Sequence, residues 1–268
     1  MAVIALHSAS TGLRALNTSL DVIANNLANA NTDGFKASRA NFEDLLYLER
    51  AQPGSETTNG DQRPTGLYVG LGTQISGTQQ NFAQGPILPT GNEFDVAILG
   101  EGFFQVAVSS DESPTGLAYT RAGNFTLNSE GELTLPTSVG RVLEPAIQFG
   151  PEHTSITIGA DGTVTALANG VEEEVGVIEL AKFVNPAGLR QIGENLWAPS
   201  VASGDPEVGQ PGTDGIGELL GQALEGSNVD PVTELVNLIR TQRAFEMNSQ
   251  SIQAADDMMQ TIGQLRRL

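Results

Sequence analysis

Residues 2–31 read AVIALHSASTGLRALNTSLDVIANNLANAN and carry a regular helix pattern. The apolar positions alternate steps of three and four along the chain, at Leu6, Ala9, Leu13, Leu16, Leu20, Ile23, Leu27 and Ala30. This spacing places them in one stripe along a helix of roughly 40 Å, at about 1.5 Å per residue. The helix is predicted to stop between Asn29 and Gly34, because Asn competes for the backbone and glycine accepts the left-handed conformation that ends helices.

The other end of the chain carries an answering seven-residue series. At the first end leucine recurs at Leu6, Leu13, Leu20 and Leu27, and at the second the series is Leu238, Phe245, Ile252 and Met259. The two heptad series predict that an N-terminal helix (1–35) pairs with a C-terminal helix (228–268) in a coiled-coil-like tube domain.

The second series is less regular than the first. It is interrupted by Thr241 and Asn248, and it is broadened by Leu235, Ile239 and Ile262. Such a seam makes a poor two-stranded zipper but suits contacts with several neighbours at once. The heptads therefore predict the contacts of a polymer wall.

Between the two ends the pattern changes to short strands. The chain has 31 glycines and 13 prolines, and alternating apolar residues in the middle predict hairpins at 125–135 and 156–167. A central β-rich barrel or sandwich is expected over 93–199, with strands at 94–99, 103–108 and 176–183. Extended connectors, 36–92 and 200–227, join it to the helices, so the predicted class is α+β.

The first connector carries two further predictions. Phe42, Leu45, Leu46 and Leu48 suggest one or two helical turns. The polar stretch Glu49 to Pro64 then reads as an extended or mobile loop.

Charge and composition exclude several classes of function. The formal net charge is −19, and Lys36 and Lys182 are the only lysines, which argues against nucleic-acid binding. The two ends are nearly neutral, so the middle carries the acidity. There is no cysteine, which removes disulfides and thiolate chemistry. No secretory signal and no apolar run long enough to span a membrane is visible.

Searching the sequence for catalytic or metal chemistry yields little. The two histidines, His7 and His153, lack an apparent third ligand or acidic partner, and no Gly-x-Ser-x-Gly elbow is present. The glycines at 70–72 and 100–102 do not complete a phosphate-binding loop. Trp197 is interpreted as a packing residue after the last strand. We expect no cofactor, no metal and no enzymatic activity.

Several motifs together resemble one family. Residues 20–36, LDVIANNLANANTDGFK, resemble the N-terminal signature of bacterial flagellar rod and hook axial proteins. Further landmarks follow in the same order, GEGFF at 100–104, YTRAGNF at 119–125, NPAGL at 185–189, and the ending from Ser227–Asp230 to QRAFE at 242–246. The resemblance covers nearly the whole chain, and residues 64–73 are most like the distal-rod members.

The resemblance implies a structural role. Such proteins leave the cytoplasm through the flagellar type III export apparatus without a cleaved signal peptide, and they polymerise into a hollow helical shaft across the periplasm. The partners implied are other copies of the chain, proximal rod proteins below, hook protein above and the bushing rings around the rod. No nucleic acid or small-molecule substrate is expected. A proximal-rod or hook-type member is the alternative within the family.

Two sets of residues are predicted to serve this role. The predicted polymerisation interface comprises Leu6, Leu13, Leu16, Leu20, Ile23, Asn25, Asn26, Leu27, Asn29, Leu235, Leu238, Ile239, Phe245, Ile252, Met259 and Ile262. The predicted rod-specific loop, which we expect to bridge adjacent subunits, comprises Glu49, Pro53, Gly54, Asp61 and Pro64.

Two other classes stay open from the residues alone. A β-rich carbohydrate-binding or hydrolytic module would need an aromatic platform or a pair of carboxylates, and only 5% of the residues are aromatic. A tail-tube or needle-type assembly protein would share the helical ends but not the run from Ala24 to Asn29.

Overall fold

Two long helices bracket the chain, as the heptads predicted. The computed structural model describes residues 2–54, 63–168 and 170–265. Helix α1 spans Ala2–Ala28 and helix α2 spans Pro231–Leu265. α1 ends one residue before the predicted stop region, within the ordinary uncertainty of a helix boundary. Neither helix of the described residues has the length and apolarity needed to cross a membrane.

The chain divides into two compact units. Unit 1 consists of Met1–Leu27, Ser38–Gln79 and Asp230–Leu268, and unit 2 of Ala28–Ala37 and Gln80–Val229. Both helices therefore belong almost entirely to unit 1. The N-terminal signature is split between the units after Leu27.

Unit 1 also contains two pairs of strands. Their bounds are β1 Ser38–Asp44, β2 Tyr47–Ala51, β3 Leu67–Gly70 and β4 Thr73–Gln80. β1 pairs with β4, and β2 pairs antiparallel with β3, with Tyr47 opposite Gly70. The helical turns predicted at Phe42–Leu48 are wrong, because Phe42 lies in β1, Leu48 lies in β2, and Leu45 and Leu46 connect the two strands. Their apolar side chains had suggested a helix, but the bonding partners lie far along the chain at residues 67–80, where a local pattern does not reach.

Unit 2 is built from short strands. In chain order they are β5 Ile87–Pro89, β6 Val96–Leu99, β7 Phe103–Ala107, β8 Leu117–Thr120, β9 Thr126–Leu127, β10 Leu133–Leu135, β11 Arg141–Glu144, β12 His153–Ile158, β13 Thr163–Ala168, β14 Val171–Val177, β15 Leu180–Lys182, β16 Arg190–Gly193, β17 Leu196–Ala198, β18 Glu207–Gly209, β19 Glu218–Gly221 and β20 Ala223–Glu225. A single 3-10 turn, Pro186–Gly188, interrupts them within the described residues.

The largest sheet of unit 2 is open. Its strand order is β16-β17-β8-β7-β11-β10-β9, and β15 pairs with both β7 and β18. A three-stranded sheet, β12-β13-β14, and the pairs β6-β19 and β5-β20 complete the unit. The described residues form no closed barrel, so the barrel alternative is wrong and the β-rich body stands.

Most predicted strands of the body are present. The hairpin prediction is confirmed for β9-β10, with Leu127 opposite Leu133, and for β12-β13, with Ile158 opposite Val164. The single strand predicted over 176–183 is instead two, β14 and β15. Trp197 is buried as predicted, but it lies within strand β17 rather than after the last strand.

The core lies in unit 2. One cluster of buried side chains includes Ile98, Phe104, Leu133 and Leu180, and a second contains aromatic residues around Phe103 and Trp197. Among the described apolar residues of unit 1, only Ala15, Ile23 and Ala255 are buried. Unit 1 has the helices but almost no core of its own.

Candidate functional site

The predicted interface residues at the N-terminal end of the chain differ in how far they are buried. Ile23 and Asn26 are buried, and Asn25 is exposed. The other members are partly buried, namely Leu6, Leu13, Leu16, Leu20, Leu27 and Asn29. The stripe predicted from the sequence is thus covered only in part within one chain.

The two helices run antiparallel where they approach each other. Asn26 Nδ2 lies 3.5 Å from Glu234 Oε1. Farther along, a Cβ on Gly12 would lie 3.3 Å from Asn248 Nδ2. The step from Gly12 to Asn26 equals the step back from Asn248 to Glu234, so one register relates the two helices over this length.

α2 presents two different faces. Leu238, Phe245 and Ile252 are partly buried and lie on the side that holds Glu234 and Asn248. Large apolar side chains are exposed elsewhere on the helix, at Val232, Leu235, Val236, Ile239, Met247, Met258 and Met259. Of the predicted members, Leu235, Ile239 and Met259 are therefore exposed, although Met259 continues the series of Leu238, Phe245 and Ile252. The side chain of Ile262 lies outside the described residues.

Asn26 holds the chain that follows the helix. Its side-chain amide donates to the Ser38 carbonyl at 2.7 Å, and its side-chain oxygen accepts from the Ser38 N–H at 2.9 Å. Because the side chain is 1% exposed, both bonds are shielded from water. This asparagine of the signature thus sets where strand β1 begins.

The second half of the signature is a tight turn in unit 2. Gly34 has a φ of +67°, and a Cβ there would lie 2.6 Å from the backbone nitrogen of Ala122. Its N–H donates to the Glu225 carbonyl at 2.7 Å. Asn195 donates to the Asp33 carbonyl at 2.8 Å. Only glycine combines the left-handed backbone with this close approach.

Three charged side chains meet beside that turn and form what we term the buried charge cluster, Lys36, Arg121 and Glu225. Lys36 Nζ lies 2.6 Å from Glu225 Oε1, and Arg121 Nη1 lies 3.2 Å from Glu225 Oε2. The side chains of Lys36 and Glu225 are 0% exposed, and that of Arg121 is 4% exposed. Burial lowers the pKa of the Lys36 ammonium, and the adjacent Glu225 carboxylate opposes that shift.

Backbone groups complete the cluster. Lys36 donates to the Ala83 carbonyl at 2.8 Å, and Arg121 donates to the Gly100 carbonyl at 2.7 Å. The Gly85 N–H donates to Glu225 Oε1 at 2.8 Å. The cluster therefore ties together five segments that are far apart in sequence. Among the described residues no group of three or more His, Asp or Glu side chains is arranged to hold a metal ion.

The predicted rod-specific loop is described only at its two ends. Glu49 lies in β2, and Pro53 and Gly54 form an exposed turn whose Gly54 N–H donates to the Arg63 carbonyl at 2.8 Å. Pro64 is exposed, and Asp61 lies outside the described residues. The strand pair that carries the loop exposes apolar side chains at Leu46, Tyr47, Leu48, Leu67 and Tyr68.

Three sequence models of flagellar proteins match the regions that contain the two helices and the β-rich body. The sequence model of flagellar basal body rod proteins matches residues 6–36, that of the flagellar hook protein FlgE/F/G D1 domain matches 97–166, and that of the basal body rod FlgEFG C-terminal region matches 220–265. The flagellar basal-body rod protein FlgG of Borreliella burgdorferi is 42% identical over 268 residues, 98% of each chain. The chain belongs to the flagellar rod and hook family.

Other relatives in this family carry the same name. FlgG of Caulobacter vibrioides is 41% identical over 98% of this chain and 99% of its own length. FlgG of Bacillus subtilis is 36% identical over 98% of both chains. The rod protein FlgF of Caulobacter vibrioides is 37% identical over a smaller part, 86% of this chain and 84% of its own.

The geometry gives the family's motifs a physical meaning. The signature supplies Lys36, the YTRAGNF motif supplies Arg121, and the GEGFF motif supplies the Gly100 carbonyl. Asn228, from the C-terminal landmark, accepts from the Ala37 N–H at 2.7 Å and donates to the Asn81 carbonyl at 2.7 Å. These motifs were recognised in the sequence, but the sequence did not show that they meet at the buried charge cluster. The available signal was Lys36, one of only two lysines and part of the signature.

Proposed function

We propose that this protein is a structural subunit of the distal part of the flagellar basal-body rod. It polymerises into a hollow, rigid helical shaft that transmits torque across the periplasm to the hook and lets exported subunits pass. The observation that carries this proposal is full-length similarity to FlgG proteins at about 42% identity. FlgF covers less of both chains, so the proximal position is the weaker alternative.

The poor burial of unit 1 supports polymerisation. Its helices are long, yet the described part of the unit buries only three apolar residues. A helix whose apolar side chains stay half-exposed gains little stability by itself and is stabilised by packing against neighbours. The exposed face of α2, from Val232 to Ile239, is the part of the predicted interface that contacts the next subunit.

Within one subunit, α1 and α2 pair as an antiparallel coiled-coil-like tube element. The contacts Asn26–Glu234 and Gly12–Asn248 are separated by about four helical turns on each helix, so one register holds over this length. Leu238 and Phe245, between Glu234 and Asn248, are partly buried, as are Leu16 and Leu20 on α1. This shared register and the partial burial support the antiparallel pairing.

The strand pair β2-β3 and the loop between them bridge adjacent subunits and stiffen the shaft. A two-stranded ribbon is marginally stable alone in water. This ribbon exposes Tyr47, Leu48 and Tyr68, which a neighbouring subunit would cover.

The remaining assignments follow from the same role. The chain is not an enzyme, it is exported through the flagellar type III apparatus, and it resides in the periplasm-spanning rod. Its neighbours are further copies, the proximal rod proteins, the hook protein and the bushing rings. The nearly full-length likeness to FlgG supports this placement.

A single charge on the α1 stripe tests the assembly role. Leu20→Asp puts an unpaired carboxylate on a partly buried position of the seam, which costs desolvation energy when the seam closes. We expect this variant to form no filaments by electron microscopy, while the fluorescence of Trp197 keeps the native spectrum. The exposed Thr18→Asp adds the same charge on the opposite side of α1 and should assemble normally. Normal rods from Leu20→Asp would refute the proposed interface.

Removing the loop tests its bridging role. Deletion of residues 49–64 should leave the subunit able to polymerise but give rods that bend more in electron micrographs. Straight rods of unchanged stiffness would sink the bridging proposal while leaving the assembly proposal intact.

A further inference from the structure

Unit 2 has a small cavity that the motifs and the buried charge cluster leave unexplained. Its volume is about 210 Å³, below the ~300–1,000 Å³ usual for cofactor pockets. Phe82, Phe103, Phe183 and Pro186 line it, with Val184 beside them. Phe82 and Phe103 meet edge to face at 5.5 Å between ring centroids. The cavity has the size and apolar walls to take one side chain rather than a cofactor.

Arg121 gives the cavity a fixed cation. The residue is 3% exposed, its guanidinium lies 5.3 Å from the centre of the Phe103 ring, and two of its nitrogens are held by Glu225 and Gly100. The third nitrogen, Nε, is buried without a hydrogen-bond partner among the described residues. A buried donor of this kind gains from a carboxylate or carbonyl oxygen brought into the cavity.

Lys182 adds a second, movable cation at the opening. Its Nζ lies 2.9 Å from Glu101 Oε2 and 3.2 Å from the Gly215 carbonyl. Glu101 is 73% exposed in its side chain, so this pair is screened by water and can exchange partners at little cost. The cations Lys36, Arg121 and Lys182 outnumber the acids Glu225 and Glu101 by one, so the cavity and the cluster beside it form a cationic spot on an acidic body.

The start of β14 has the complementary features. Val171 is 69% exposed, and Glu172, Glu173 and Glu174 follow it as exposed residues that form no ion pair among the described residues. β14 is an edge strand of its sheet, so its outer edge is open to another chain. The similar Glu207–Val208 pair lies on β18, beside the cavity's own strand β15, and so cannot approach the cavity from outside.

We propose that this cavity receives the start of β14 from a second copy of the chain, with Val171 against the phenylalanines and the carboxylate of Glu173, which lies on the same face of the strand as Val171, at Arg121 and Lys182. The proposal rests on the helical polymerisation proposed above. A contact between two different patches of the same molecule is heterologous, and repetition of such a contact produces an open helical filament rather than a closed dimer. The β bodies thereby contribute a contact to the shaft in addition to the helices.

Cysteine cross-linking tests this contact directly, because the chain has no cysteine of its own. Full-length Val171→Cys and Val184→Cys chains are mixed, polymerised and oxidised mildly, and the mixed disulfide dimer is measured on a non-reducing gel. We expect at least about tenfold more mixed dimer than from the control pair Val139→Cys and Val184→Cys, where Val139 is 63% exposed at another site.

The outcomes separate this proposal from the proposed function. Filaments that give equal cross-linking in both pairs overturn the cavity contact and leave the rod function standing. A wild-type chain that forms no filaments overturns both.

A charge exchange then tests the carboxylate. With the cysteine pair kept, Lys182→Glu should lower the cross-link yield about tenfold, since a hydrogen bond to a charged group is lost and repulsion replaces it. Adding Glu173→Lys to the same chains should restore the yield. An unrestored yield in filaments of normal appearance would show that Glu173 does not occupy the cavity.

Discussion

At the scale of single residues, the least expected feature is the buried charge cluster. Removing three charges from water is costly, and the cluster offsets this cost because Glu225 accepts from Lys36, Arg121 and the Gly85 N–H. The cluster contributes to the specificity of the fold, because Lys36, Arg121 and Glu225 come from different segments. All three charges are satisfied only when these segments meet in this arrangement. The cluster thus fixes how the signature turn and strand β20 meet in unit 2.

We predict a large loss of stability when the central acid loses its charge. Glu225→Gln leaves Lys36 and Arg121 buried without a counter-charge, which should lower the free energy of unfolding of unit 2 by about 3–5 kcal/mol. Urea unfolding followed by Trp197 fluorescence measures this. The exposed Glu207→Gln is the matched control and should change the value by less than about 0.5 kcal/mol. A change below about 1 kcal/mol in Glu225→Gln would contradict the structural role of the cluster.

The sequence could not have revealed this cluster. Lys36 and Glu225 are 189 positions apart, and charge patterns report on neighbours within a few residues. Lys36, Arg121 and Gly100 lie within the motifs that carry the family resemblance, but the motifs do not say what these residues do. Glu225 carried no signal, because it reads as one of 32 acidic residues.

At the scale of elements, helices and strands were predicted correctly where the sequence has a local repeat of apolar residues or a recognisable turn. The heptads gave α1 and α2, and the Asn128–Gly131 and Ala160–Gly162 turns gave their hairpins. Residues 42–48 failed because their strands pair with residues 67–80. Whether the β-rich body closes into a barrel also depends on the order of strands that are far apart in sequence. The sequence therefore could not distinguish a barrel from a sandwich.

The first turn of α2 gives a pH-dependent prediction. The Asp230 carboxylate accepts from the Thr233 hydroxyl and the Val232 N–H, which lowers its pKa from the ordinary value. The ionised cap therefore stabilises the helix above about pH 4, and this contribution is lost as pH falls through the lowered pKa.

Helical circular dichroism between pH 7 and pH 2 measures the effect. Wild type should lose more signal than Asp230→Asn, which keeps an acceptor but does not titrate. Asp257→Asn, at an exposed position late in α2, is the control and should follow wild type. Parallel curves for wild type and Asp230→Asn would argue against the cap.

At the scale of the whole molecule, core and helices belong to different units. Apart from three residues, every buried apolar residue among those described lies in unit 2, while α1 and α2 form most of unit 1. Burial of apolar surface supplies most of the stability of a folded unit. Unit 2 is therefore expected to be stable in the free subunit, and unit 1 to become stable on assembly.

This division predicts two separate unfolding transitions in the monomer. Trp197 is the only tryptophan and reports on unit 2, whereas circular dichroism at 222 nm reports mainly on α1 and α2. The helical signal should melt at a lower temperature than the fluorescence signal, because few buried contacts oppose its loss. Leu20→Asp should lower only the helical transition. In assembled filaments the helical transition should move upward toward that of Trp197, since binding to neighbours stabilises the folded form. Coincident transitions in the monomer would mean that the helices draw their stability from unit 2, and assembly would then need no coupled ordering.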